Sequence, residues 1–215
     1  MIEKQDTKSR ILDAAEKLFG LNGFEATSLR DITAEAQVNL AAVNYHFQSK
    51  DSLIDAVLAR RIEPVNRRRF EMLDAAGPSP TLEQILEAFM LPVLDQDLSS
   101  VVPLMGRMMS DPTQFVERVF KKYFGPVSQR IREELHKQLP DLPLSEIFWR
   151  THFLAGIMTH IMSWSQVLPD LTEGLCSIAD RKAVIGRIVA FAAAGFRAAA
   201  PEPVVSQPVA MERKG

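Results

Sequence analysis

Residues 38–50, Val-Asn-Leu-Ala-Ala-Val-Asn-Tyr-His-Phe-Gln-Ser-Lys, combine polar and aromatic side chains in a way that packing and solubility do not explain. Asn39 is a good N-cap, its side-chain oxygen able to accept from the first free N–H groups of a helix over about Leu40 to Phe47. Val43 and Phe47 stand one turn apart and are predicted to point inward, which turns Ala41, Asn44 and Tyr45 outward. A face of small residues with one amide and one phenol suits a helix that enters a DNA groove, where amides pair with base edges and methyl groups meet thymine. A helix kept on the surface for solubility would carry Lys and Glu there.

The preceding residues have the pattern needed to hold such a helix. Asp6 or Thr7 can cap a first helix whose Ile11, Ala14, Ala15, Leu18 and Phe19 fall on one face, and Gly20 to Gly23 ends it. Thr27 or Ser28 caps a second with Leu29, Ile32 and Ala36 inward, and Gln37-Val38-Asn39 makes the turn. Two short helices across a tight turn, braced by a longer one, form a helix-turn-helix unit. Ser49 then caps a fourth helix from Lys50, whose stripe Leu53, Ile54, Val57, Leu58, Ile62 and Val65 continues past the head. Pro64 is expected to kink it, and the basic run Arg60, Arg61, Arg67, Arg68 and Arg69 reads as a solvated face, with contact to phosphates as the alternative.

Ala76-Gly77-Pro78-Ser79-Pro80 is the clearest break in the chain. Thr81-Leu82-Glu83-Gln84 has the form of a capping box, opening a helix with Ile85, Leu86, Phe89, Met90 and Val93 inward and a bend at Pro92. A methionine-rich segment from Val101 to Ser110 follows, and Asp111-Pro112 starts a long helix from Phe115 to Leu135 with a kink at Gly125-Pro126. Further helices run from Ser145 to about Val167 and from Asp180 to near Ala200. The last is nearly apolar all round, more than one subunit needs to bury, so a homodimer interface is expected there. No strand alternation appears, and the reading is an all-α fold of about nine helices. It divides into a helix-turn-helix head (1–50), a helical ligand-binding and dimerisation domain (51–200) and a disordered tail (201–215).

Lys+Arg 25 against Asp+Glu 27 leaves a formal charge of -2, so attraction to phosphates must be local. The single cysteine, Cys176, excludes an intramolecular disulfide and fits the cytoplasm, and no apolar span is long enough for a membrane helix. No nucleophile motif, glycine-rich phosphate loop or carboxylate pair points to an enzyme, and no cofactor is implied. His152 and His160 share a face but have no carboxylate or third histidine at metal spacing.

Ile11-Leu12-Asp13-Ala14-Ala15, Leu18-Phe19, Gly23-Phe24-Glu25-Ala26-Thr27-Ser28, Ile32, Ala36-Gln37-Val38, Tyr45-His46-Phe47 and Ser49-Lys50 come in an order and spacing that resembles the TetR family of bacterial transcriptional regulators. Gln37 departs from it, standing where the family usually has glycine. The resemblance implies a dimer on a palindromic double-stranded DNA operator, with a small apolar effector as second partner. It places Leu40, Ala41, Ala42 and Asn44 at base edges, although Leu40 also fits the core. Tyr45, His46 and Lys50 match phosphate-contacting positions, and Thr27 and Ser28 lie at a helix N-terminus suited to an anion. Arg30 either reaches a guanine or pairs with a nearby carboxylate. Residues 38–47 together with Glu146 to Phe153 are similar to the fatty-acid-responsive PsrA-type branch, which implies a long-chain fatty acid or its acyl-CoA as effector.

Phe89, Met105, Met108, Phe115, Trp149, His152 and Phe153 are the candidate pocket residues, since methionines with aromatics and few charges make an adaptable apolar lining. Arg107, Arg150 and His152 are the candidates for meeting an acidic head group. The expectation is a dimeric repressor released by its effector. An activator of the same kind, or an apolar-ligand carrier with a vestigial helix-turn-helix, is the alternative.

Overall fold

Side-chain caps fix where several of the helices begin. The computed structural model describes residues 6–96, 102–107, 114–165 and 167–201. In it α1 (Thr7–Asn22), α2 (Leu29–Ala36), α3 (Leu40–Phe47) and α4 (Lys50–Ala75) follow one another over short turns. Ser28 accepts from the Asp31 N–H while the Asp31 carboxylate accepts from the Ser28 N–H, a reciprocal capping box. Asn39 accepts from the Ala42 N–H at 2.8 Å, and Ser49 from the Ser52 N–H at 3.1 Å. Thr81 and Gln84 form the second capping box, as their spacing predicts.

Beyond α4 come α5 (Leu82–Leu94), a helical segment at 102–107, α6 (Gln114–Tyr123), α7 (Gly125–Gln138), α8 (Leu144–Ser163), the single turn α9 (Leu168–Leu171) and α10 (Arg181–Arg197). The described residues are helical without strands, in eleven segments instead of about nine. Gly125-Pro126 breaks the expected long helix instead of kinking it, because Pro126 has no N–H for the preceding turn and suits the start of a new helix. α8 stops at Ser163, short of Val167, and α9 is a turn opened by Pro169 that the periodicity did not predict. α4 runs unbroken through Pro64, and α5 through Pro92. Residues 108–110, the expected cap at Asp111-Pro112 and the tail from 202 lie outside the described residues.

Two buried clusters organise the chain. The first joins Ile11, Phe19, Phe24, Ile32, Val43 and Phe47 of the head to Leu53, Val57, Leu58 and Ile62 of α4, and also takes in Leu104, Val119 and Tyr123 from later segments. The second gathers Leu73 of α4 with α5, α7, α8 and α10. Packing of the head therefore continues past residue 50, onto α4 and α6. Segment 102–107 lies against the end of α1: a Cβ on Gly20 would stand 3.3 Å from that of Pro103, and Arg107 donates to the Leu21 carbonyl at 2.9 Å.

The basic run on α4 is only in part the solvated face expected of it. Arg60 pairs with Asp13 and Arg61 with Glu16, both on α1, while Arg69 is buried. Arg60, Arg67 and Arg68 are exposed.

The turn between α2 and α3 carries the family departure at Gln37, which adopts φ 52, ψ 47. Arg10 of α1 holds that turn by donating to the carbonyls of Ala36 at 2.6 Å and Gln37 at 2.9 Å. A left-handed non-glycine residue costs about 1 kcal/mol, partly offset for glycine by the greater entropy of its unfolded chain. Gln37→Gly is therefore expected to stabilise the protein by about 0.5–1 kcal/mol, a rise of roughly 2–3 °C in melting temperature by calorimetry.

Candidate nucleic-acid interface and ligand cavity

α3 turns Val43 and Phe47 into the first cluster and leaves Leu40, Ala41, Asn44 and Tyr45 exposed, Tyr45 at 83%. Ala42 is half-buried. The Tyr45 ring meets His46 edge-on at 5.1 Å, and the Asn44 side chain makes no hydrogen bond among the described residues. Leu40 thus lies on the exposed face and outside the core. Lys50, at the start of α4, donates to the Glu25 carbonyl at 3.0 Å and so ties the α1–α2 loop to the end of α3. The Arg30 side chain is exposed and makes no ion pair among the described residues.

Thr27 and Ser28 depart from the anion-binding expectation. Thr27 is fully buried, its hydroxyl donating to the carbonyls of Gly23 at 2.8 Å and Leu18 at 3.2 Å. The Ser28 hydroxyl donates to the Asp31 carboxylate at 2.7 Å, and the Ser28 hydroxyl and N–H hold the Asp31 carboxyl below its ordinary range. A phosphate at that helix start would meet an ionised carboxylate, so these two residues build the loop that carries α2 and α3.

A cavity of about 500 Å³ lies between α4, α5, α6, α7, α8 and segment 102–107. Val65, Phe89, Val93, Met105, Phe124 and Met158 give it mostly apolar walls, and among the described residues Arg61, Arg69, Lys121 and Arg132 bring permanent charges to its lining. Of the expected pocket residues, Phe89, Met105 and His152 line it. Trp149 and Phe153 do not: they sit to one side of the lining face of α8, half exposed and stacked on each other with ring centroids 5.8 Å apart. Met108 and the Phe115 side chain lie outside the described residues. Of the expected head-group partners besides His152, Arg107 caps the end of α1, and Arg150 donates to the carbonyls of Gly195, Phe196 and Ala198 at 2.8–3.0 Å, closing the end of α10.

The N-terminal helices match the description of bacterial regulatory proteins of the tetR family over residues 11–57, and residues 87–195 match the tetracyclin repressor-like C-terminal domain. The chain belongs to the TetR family. It is a DNA-binding transcriptional regulator with a helix-turn-helix head and a helical C-terminal domain. It is similar to the HTH-type transcriptional repressor Rv3405c of Mycobacterium tuberculosis, 34% identical over 84 residues (39% of this chain, 43% of that protein). UidR of Escherichia coli K12, an HTH-type transcriptional regulator, is 36% identical over 76 residues (32% of this chain, 39% of that protein). The matched stretch thus spans about two fifths of the length of these curated relatives. Among solved structures, a tetR-family regulatory protein from Rhodococcus RHA1 superposes with a TM-score of 0.65 at 18% identity, covering 92% of this chain and 100% of that one. Salmonella enterica GusR gives 0.63 at 16%, covering 92% and 99%.

In this TetR-family chain two residues escaped sequence reasoning because they sit in a run of arginines. Arg61 lines the cavity and also pairs with Glu16 of the head, whose side chain is only 6% exposed. Arg69 occupies the buried stripe, and its spacing was the available signal: Val65, Arg69 and Leu73 repeat every four residues along one face of α4. Removing one partner of a buried pair leaves an uncompensated charge. Arg61→Met is expected to destabilise the protein by about 2 kcal/mol, discounted because the arginine itself is partly exposed, and to lower the melting temperature by roughly 4–8 °C. Adding Glu16→Gln should recover part of that loss in a double-mutant cycle.

Proposed function

We propose that the chain is a homodimeric repressor that leaves a palindromic operator when a small apolar effector fills the cavity. The observation that carries this reading is the course of α4: the helix that begins where the recognition helix α3 ends also forms a wall of the cavity, through Arg61, Ile62, Val65 and Arg69. A ligand that prefers a different position of that wall shifts the head with it, and only that difference in affinity drives release. The Arg61–Glu16 and Arg60–Asp13 pairs, with Lys122 and Tyr123 both donating to the Asp55 carboxylate, make α1, α4 and α6 move together. Repression is supported by the name of one relative, the repressor Rv3405c.

On this reading α3 lies in the major groove. Asn44 pairs with adenine, Ala41 and Ala42 meet thymine methyls, Leu40 adds apolar contact, and Tyr45, His46 and Lys50 hold phosphates. Arg30 is the candidate for a further contact. The dimer reading is supported by apolar side chains left uncovered on adjoining helices: Trp149 and Phe153 of α8 and Phe191 of α10, the last 72% exposed. α10 is therefore two-sided, with Ile185, Ile188, Val189, Ala192 and Phe196 buried within the subunit.

Fluorescence anisotropy on a palindrome from the adjoining promoter tests the DNA reading. Asn44→Ala with Lys50→Ala is expected to weaken binding by at least ~10-fold, given about 1–3 kcal/mol for a bidentate base contact, and to make binding less dependent on salt. Unchanged affinity rejects α3 as the reader, and failure of fatty acids, acyl-CoAs and a small-molecule panel to release the operator rejects the effector mechanism. Phe191→Glu is expected to move the protein from dimer to monomer in sedimentation velocity; a wild-type monomer at micromolar concentration rejects the homodimer.

A further inference from the structure

Among the described residues Arg69 is a buried cation without a counter-ion. It is 2% exposed, and its partners are neutral: Nε donates to the Phe89 carbonyl at 2.9 Å, Nη1 donates to Asn66 Oδ1 at 3.0 Å, and the guanidinium lies 4.7 Å over the Phe89 ring. Asn66 donates in turn to the Tyr123 carbonyl at 2.6 Å, which leaves its oxygen to the arginine and fixes the guanidinium in place. Among the described residues no carboxylate pairs with Arg69, and Nη2 makes no hydrogen bond. Burial pushes the group down to about 10, still far above neutral pH, so the charge persists inside the protein.

The rest of the cavity sharpens the point. Among the described residues that line it there is no Asp or Glu. Of the other cations there, Arg61 is paired with Glu16, Lys121 with Glu117, and Arg132 rests 4.5 Å over the Phe148 ring. An isolated buried charge is costly, and a bidentate carboxylate is the partner that best matches a guanidinium. The apolar walls ask for a chain, and the unpaired guanidinium asks for an anion at its end.

We propose that Arg69 is the anion-recognition residue of this cavity, and that the cavity takes a free carboxylic acid on an apolar chain with its carboxylate on the guanidinium. The inference rests on the cavity being a ligand site, as proposed above, and narrows the ligand class: an ester, an alcohol or a thioester presents no charge to Arg69. The carboxylate would close the arginine's pairing while the chain runs along Val65, Phe124 and Met158.

Calorimetric titration of the full-length protein with dodecanoate and hexadecanoate, their methyl esters, the matching alcohols and dodecanoyl-CoA decides the matter. The acids are expected to bind about 10- to 100-fold more tightly than the uncharged compounds and the thioester, the range for a hydrogen bond to a charged group. Arg69→Gln should bring the acids down to the affinity of their esters and leave the esters within about two-fold, while Arg132→Gln keeps the preference. Esters or alcohols that bind wild type as tightly as the acids overturn the inference and leave an apolar effector standing. So does a preference for dodecanoyl-CoA, which makes the coenzyme's phosphates the recognised anion, or a preference that survives Arg69→Gln or vanishes in Arg132→Gln. Binding of none of the compounds overturns the ligand-cavity reading together with the inference. The wild-type series decides between charged and uncharged ligands even where a variant fails to fold.

Discussion

α4 is one unbroken helix buried by two different cores, and this constraint governs the rest of the structure. Its first half packs through Leu53, Val57, Leu58 and Ile62 against the DNA-binding head, and Leu73 near its end belongs to the core of the C-terminal helices. Between them Asn66 and Arg69 replace apolar packing with a chain of bonds from the Tyr123 carbonyl to the Phe89 carbonyl, which ties α6 and α5 to the same stretch. The helical rise separates Arg69 from Lys50 by about 28 Å, so a tilt of a few degrees about the cavity moves the head by roughly 2 Å. The ion pairs from Arg60 and Arg61 join the same helix to α1 of the head.

Most of the head was legible because local rules and tertiary packing agree there. Asn39, Ser49 and Ser28 cap helices where their side chains alone predict, and Val43 and Phe47 fall on the buried side where period 3.6 puts them. Gln37 was readable as a strained position from a missing glycine, but nothing in the sequence marks Arg10 as the residue that ties that turn to α1. Thr27 misled for a physical reason: a threonine at a helix start serves equally well as an anion ligand or as a loop clamp, and its burial decides for the clamp. The cavity was much less legible. Periodicity separates inside from outside within a helix, but not packed core from an open space between helices, so Trp149 and Phe153 looked as much like pocket residues as Phe89 did, while Phe124 was read only as part of a helical stripe. Arg69 was hidden by its neighbours, since a run of arginines reads as surface until the four-residue spacing of Val65, Arg69 and Leu73 is taken on its own.

On the proposed reading a single head is a weak DNA ligand, because the chain carries no excess of positive charge. The formal charge is -2, and the hydroxyls of Thr27 and Ser28 are engaged within the fold, leaving few groups to displace counterions from a phosphate backbone. On the proposed reading affinity comes from joining two such heads on one palindrome, where the second binds at the effective concentration set by the first. The same weakness makes the system easy to switch. Where each half-site contributes modestly, changing the spacing of the heads removes the gain from joining them without having to break strong contacts. The small side chains Ala41 and Ala42 fit this scheme, because methyl contacts and groove shape depend steeply on distance.

The position of the unpaired guanidinium bears on how a ligand acts as well as on whether it binds. A ligand that binds both head positions equally shifts nothing however tightly it binds, and apolar filling distinguishes them only through how well each cavity shape fits the ligand. A carboxylate on Arg69 is different, because its gain depends on the distance and angle to a group fixed on α4 by Asn66 and the Phe89 carbonyl. The buried charge also penalises the empty protein, and that penalty is lifted only in arrangements that let an anion reach it. On the proposed reading, directional pairing on the helix that carries the head adds to the apolar fit a preference for one position of α4.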